Sequence, residues 1–297
     1  MKTKIKFFYD LSIEQISEHQ NFFVIISQNK IYILKKLYDT DENFIAMYNF
    51  IKQQKDDYME IVSNRENQLI TEIEKNKYVL MLIKNSQKNK DVDFDIIDSN
   101  YMNDNLTSDL WIKKVDYYKE QISNFGYGKS ELLCSFNYFS GLAENAIQLM
   151  LLAEKNNING KKFITHKRIY YPNYYINYYD PTNLTIDYYV RDIAGYIKSY
   201  YFESEFHDIK KIRGILKQNI RTENDLLITY ARVLYPTYYF DIFEDYIISE
   251  NIENEAIKQK VNKIVIKSKE YLQYIRDVFK EYLDYNVIPK IEWLNNL

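Results

Sequence analysis

Four short stretches of this chain carry side chains of the kind that hold phosphate, hold a cation or move a proton. The first is Tyr32-Ile33-Leu34-Lys35, an apolar run that ends in a lysine. A lysine there is a compact point charge for an anion, and read alone it is equally a strand end reaching water. Lys36 follows directly, so the register of the charge is open by one residue. The second stretch is His166-Lys167-Arg168, with Asn173 seven residues after the histidine. By itself His166 reads as a packed, hydrogen-bonded side chain. Arg168 stays protonated and has no acceptor atom, so it takes no proton. The third is Leu184-Thr185-Ile186-Asp187, an apolar run that ends in an acid. A capped, solvated carboxylate is the plainer use of Asp187. The fourth, Val190-Arg191-Asp192-Ile193-Ala194, looks like the start of a helix, where the Asp192 carboxylate meets free backbone N–H groups.

The bulk numbers bound what these stretches serve. A chain of 297 residues can bury a sizeable core, as one large domain or as two lobes. Lys and Arg number 39 against 42 Asp and Glu, a formal charge of −3, and both signs are mixed along the chain. That balance gives no electrostatic case for nucleic acid or for an anionic membrane. Cys134 stands alone, which rules out an internal disulfide and a zinc site built on thiolates. The first residues are basic but run into Phe7-Phe8-Tyr9-Asp10 without the apolar core of a signal peptide, and no run of about 18 apolar residues occurs. A cytoplasmic protein without membrane insertion is expected. Tyrosine, at 31 residues, is the compositional oddity, and together with abundant Asn, Ile and Lys it reflects A/T-rich codons better than a cross-linking role.

The elements that must position these residues follow from turns and periodicity. The first glycine is Gly126 and the first proline Pro172, so earlier turns use polar residues, as at Ser27-Gln28-Asn29-Lys30 and Glu74-Lys75-Asn76-Lys77. Between them lie strand-length apolar runs at residues 22–26, 31–34, 68–73 and 78–83, the first two forming a hairpin. Phe44, Met47, Tyr48 and Ile51 recur at helical spacing behind a Thr40 or Asp41 cap. Residues 85–99 are polar and read as a linker. Beyond it Trp111, Val115, Tyr118 and Ile122 share one helical face, and Phe139, Leu142, Ala146, Leu149 and Met150 share another. Residues 162–185 read as short strands and loops, and the chain from Val190 on reads as helices, ending in a long amphipathic stretch over 252–285 whose packing partner is open. The class is α+β: a small antiparallel β-rich part at 1–84, a linker at 85–99, and a larger helical part at 100–297.

The order of these elements and motifs resembles the spore-coat kinase-like proteins of endospore-forming bacteria, the CotS/YutH type, within the aminoglycoside phosphotransferase and protein-kinase-like superfamily. The likeness spans roughly residues 20–245 and rests most on Gly141-Leu142-Ala143-Glu144-Asn145-Ala146 and on Arg232-Val233-Leu234-Tyr235-Pro236. It implies a two-lobed kinase fold, with residues 1–84 as the N-lobe, 85–99 as the hinge and a catalytic-loop remnant at 164–192. It also implies roles: Lys35 for the nucleotide phosphates, His166 to orient the loop, and Asn173 and Asp187 for magnesium. The base position of a His-x-Asp-x-x-x-x-Asn loop is filled by Arg168, and a second acid two residues after Asp187 is replaced by Tyr189.

Two parts of the phosphoryl-transfer apparatus are therefore missing. The loop base is gone, a role worth about 100- to 10,000-fold. No glycine is present before Gly126 to bring backbone close to phosphates, as at the hairpin turn Ser27–Lys30. A pseudokinase is expected, one that binds protein partners such as spore coat components and has room for ATP and magnesium as ligands. The alternatives are an active ATP- and magnesium-dependent small-molecule phosphotransferase resting on Lys35, Asn173 and Asp187, and a helical structural protein with accidental motif matches.

Overall fold

A computed structural model describes residues 1–19, 22–84, 92, 94–99, 106–125, 130–156, 161–170, 177–248 and 255–292. The chain divides into two compact units. One comprises Met1–Ile97 with His166–Thr185, the other Asp98–Thr165 with Ile186–Leu297.

The first unit is built on an antiparallel sheet. A short helix α1 (Lys2–Phe8) leads into β1 (Ile13–His19), β2 (Phe22–Ser27) and β3 (Lys30–Lys36), followed by α2 (Asp41–Gln54), β4 (Glu60–Val62), β5 (Thr71–Ile73) and β6 (Asn76–Leu82). The strand order is β1-β2-β3-β6-β4, with β5 paired to β6. Two hairpins close without glycine. Gln28 and Asn29 have φ of 51° and 58°, and Glu74 and Lys75 have φ of 52° and 65°. Both central residues of a tight hairpin turn need positive φ to match the strand twist, which Asn adopts more readily than Gln. The cap foreseen for α2 forms, with Thr40 Oγ1 accepting from the Asn43 N–H at 3.4 Å.

Alternation along the strands gives the sheet two distinct faces. One carries Ile25, Tyr32, Leu34 and Leu80, which α1 covers with Ile5 and Tyr9 in a common core. The other carries Lys35. Its cross-strand partners there are Phe22 and Val79, and the next row holds Val24, Ile33, Met81 and Ile61.

The second unit is mainly helical: α3 (Thr107–Phe125), α4 (Ser130–Asn156), α5 (Val190–Glu203), α6 (Ile209–Asn219), α7 (Glu223–Leu234), α8 (Thr237–Ile248) and α9 (Glu255–Asp284). The periodic apolar positions are the buried ones, including Phe139, Leu142, Ala146 and Met150 of α4. The amphipathic C-terminal stretch becomes α9 and packs on its own unit. Tyr271, Leu272, Ile275, Val278 and Phe279 are buried, and the Tyr271 hydroxyl donates to the Val233 carbonyl at 2.7 Å. Three short strands, β7 (Ile97–Asp98), β8 (Phe163–His166) and β9 (Leu184–Asp187), form a second sheet in that order.

Candidate functional site

Lys35, next to last in β3, reaches the segment between β8 and β9. Its Nζ lies 2.5 Å from Asp180 Oδ2. Asp180 is 2% exposed, and its other oxygen accepts from the Thr182 N–H at 2.8 Å and the Thr182 hydroxyl at 2.6 Å. This carboxylate, absent from the candidates read in the sequence, is the acid that meets the lysine. Its local signal is Asp-Pro-Thr-Asn: the side chain caps the 3₁₀ turn Pro181–Asn183, which reads as a structural break.

The loop is held by further local bonds. Asn183 Nδ2 donates to the carbonyls of Arg168 and Asn177, each at 2.7 Å, while its Oδ1 accepts from the Arg168 N–H at 3.1 Å. The Arg168 guanidinium donates to the Lys167 carbonyl at 2.9 Å. Lys167 bonds the Thr182 carbonyl at 3.1 Å and pairs with Asp39 at 3.4 Å. The His166 ring is buried and stacks on Tyr178 at 4.2 Å, and its Nε2 is 3.3 Å from the Tyr58 hydroxyl. That is the packed, hydrogen-bonded side chain read from the sequence. Asn173 lies outside the described residues.

Lys35 pairs with Phe22, at the start of β2, whereas Ser27–Lys30 closes the other end of the β2–β3 hairpin. His19 of β1 pairs with Phe22, and their rings stack at 4.8 Å. No glycine stands between residues 19 and 30.

Asp187 belongs to a separate centre, within the helical unit. Arg191 Nη1 lies 2.6 Å from its Oδ2 and Arg232 Nη2 lies 2.5 Å from its Oδ1, which also accepts from the Tyr188 N–H at 2.7 Å. Burial alone would raise this carboxyl. The charges of Arg232, Arg191 and Lys162 outweigh it and hold Asp187 well below the usual carboxylate range. Arg232, the first residue of the Arg-x-Leu-Tyr-Pro segment, also lies 5.6 Å from the Trp111 ring, and Trp111 stacks on Tyr235 at 4.1 Å. Nearby, Glu154 accepts from the Thr107 and Ser108 N–H groups at 2.7 and 3.2 Å and so caps α3. Asp192 sits buried in the first turn of α5. Among the described residues no group of three or more His, Cys, Asp or Glu side chains is placed to hold a metal ion.

The β-rich and helical units of this chain have counterparts in the folds of solved structures. An aminoglycoside phosphotransferase from Alicyclobacillus acidocaldarius superposes with a TM-score of 0.56 at 8% identity, over 95% of this chain and 96% of that one. An AMP-bound spectinomycin phosphotransferase gives 0.51 at 12% identity, over 88% and 93%. The class is thus the kinase-like fold of the aminoglycoside phosphotransferases, an antiparallel sheet region followed by a mainly helical one. The family described as "Spore coat putative kinase YutH" matches residues 107–278, more than half of the chain, and the chain belongs to that family. Its relative in Bacillus subtilis strain 168, the endospore coat-associated protein YutH, is 21% identical over 350 aligned positions that cover 99% of this chain and 98% of the relative.

Proposed function

We propose that the chain is a pseudokinase: a kinase-fold binding or scaffold protein that serves with protein partners in the spore coat and transfers no phosphate. The observation that carries this reading is the loop itself. No Asp or Glu occurs between His166 and Asp180, and residue 168 is an arginine whose guanidinium is turned back onto the Lys167 carbonyl. A kinase-type base must accept a proton from the acceptor hydroxyl, and nothing on this loop can do so. Both oxygens of Asp180 accept hydrogen bonds, one from Lys35 and one from Thr182. Asp187 is likewise committed to two arginines, which leaves Asp180 the better placed of the two acids beside a nucleotide. The coat assignment rests on the name of the Bacillus relative.

A second reading, an ATP- and magnesium-dependent phosphotransferase, is favoured by one feature. Lys35 stands at the end of an apolar row, Val24, Ile33 and Met81, on one sheet face, and a lysine at a strand end is a point charge suited to phosphate. AMP is bound by the spectinomycin phosphotransferase of the same fold. Nucleotide binding and phosphate transfer are separable by a thermal-shift titration with ATP, with and without magnesium, on the chain and on a Lys35→Ala variant. Binding at a hundredfold excess over Kd would add about 2.7 kcal/mol of stability. A shift lost in Lys35→Ala assigns the nucleotide to this lysine. No shift under any condition leaves the fold as a scaffold alone and ends the second reading.

A further inference from the structure

A cavity of about 120 Å³ lies in the first unit, where the end of α2 meets β4 and the residues that follow β6, and neither Lys35 nor Asp180 lines it. Its apolar lining is Tyr48, Tyr58 and Met59, and three lysines, Lys52, Lys55 and Lys84, surround it. Two acids, Asp56 and Glu60, complete the lining. Lys84 bonds the Asp56 carboxylate at 2.9 Å and the Asp56 carbonyl at 2.6 Å, and Lys55 pairs with Asp95. Lys52 lies over the Tyr48 ring at 5.8 Å, with no carboxylate of the described residues in ion-pair distance. An ammonium has three donors, so Lys52 and Lys55 keep N–H groups that the acids of the described residues do not fill.

We propose that this cavity is a binding site for a small anionic group, a carboxylate or phosphate on a short apolar body. Lys52 and Lys55 hold the charge, and the rings of Tyr48 and Tyr58 with Met59 receive the body. The size sets the class: a cavity of this volume is well below the roughly 300–1,000 Å³ of drug-sized ligand sites and suits a free small acid or one acidic side chain.

The floor of the cavity touches the loop. The Tyr58 hydroxyl is 3.3 Å from His166 Nε2, and the Met59 N–H donates at 2.9 Å to the carbonyl of Tyr179, the residue before Asp180. An anion that presses on Tyr58 and Met59 is therefore felt at His166. The site does not depend on whether the chain binds nucleotide.

The chain holds three histidines, His19, His166 and His207, so histidine-labelled full-length protein gives a sparse NMR spectrum with His166 as reporter. Glutarate, inorganic phosphate and an acetylated, amidated glutamate tripeptide are titrated in turn, with sodium chloride at matched ionic strength as the control. The site predicts a saturable movement of the His166 signal while His207, stacked on Tyr201 in the other unit, stays still. In Lys52→Glu the half-saturation point rises about tenfold or more, and Lys52→Arg keeps it. Saturation by the free acids alone assigns the site to a small metabolite-like anion, and saturation by the peptide alone assigns it to a partner's acidic side chain. A His166 response no larger than that to chloride, or one unchanged by Lys52→Glu, overturns the proposal.

Discussion

Single side chains decide what this fold can do. Asp187 is the clearest case, because an apolar strand ending in an acid reads as a cation ligand while its neighbours make it the centre of a buried ion-pair cluster. Removing one member of a buried pair leaves the others charged and unpaired, a loss of about 3–5 kcal/mol. Asp187→Ala should therefore lower the urea midpoint steeply, and a midpoint within error of the parent chain would show that the arginines are not held by it. The pH dependence carries a definite sign. The folded carboxyl is depressed by Arg232, Arg191 and Lys162 against the opposing effect of burial, so its contribution is full above the unfolded value and is lost as pH falls toward the folded one. Stability of the parent chain should drop on acidification below about pH 4, the unfolded carboxyl range, and Asp187→Asn should show a shallower loss over the same interval. Urea midpoints of both proteins at a series of pH values measure the difference.

At the level of elements, the turns show how composition shapes local structure. Without glycine, the β2–β3 hairpin places Gln28 in the left-handed region, where a side chain costs about 1–2 kcal/mol. Gln28→Gly should stabilise the chain by about 1 kcal/mol, since only the backbone N–H of Gln28 is used, donating to Glu14 Oε1 at 2.8 Å. A melting temperature unchanged or lowered by this substitution would show that the turn is unstrained. Elements with a clean period were legible in the sequence: β2, β3, β5 and β6 from their apolar runs, α2 from its cap, and α3, α4 and α9 from their stripes. Strand β1 was not, because Ile13-Glu14-Gln15-Ile16-Ser17-Glu18-His19 lacks strict alternation. Helix α1 shows only Ile5 as a buried side chain within its own span, too little for periodicity to register. The site was half legible. Lys35 stood out by its place at a strand end, whereas Asp180 meets it from 145 residues away and no local pattern announces such a pairing.

Over the whole molecule, fold and chemistry are kept by different residues. The architecture persists at 8% identity to an aminoglycoside phosphotransferase, because cores accept many apolar sequences of suitable volume and pattern. Phosphate transfer instead depends on a few side chains, and a fold hosts it only where those are present. Here a lysine and a buried acid are in contact while the loop after His166 has no acid before Asp180. Membership of the spore coat family and the absence, among the described residues, of a helix long and apolar enough to cross a membrane are both compatible with a coat binding protein. The direct test is the rate at which the purified chain consumes ATP with magnesium, measured alone and with hydroxyl-bearing acceptors, beside Lys35→Ala. The pseudokinase account predicts the same background rate for both proteins. Magnesium-dependent turnover that Lys35→Ala abolishes would contradict it.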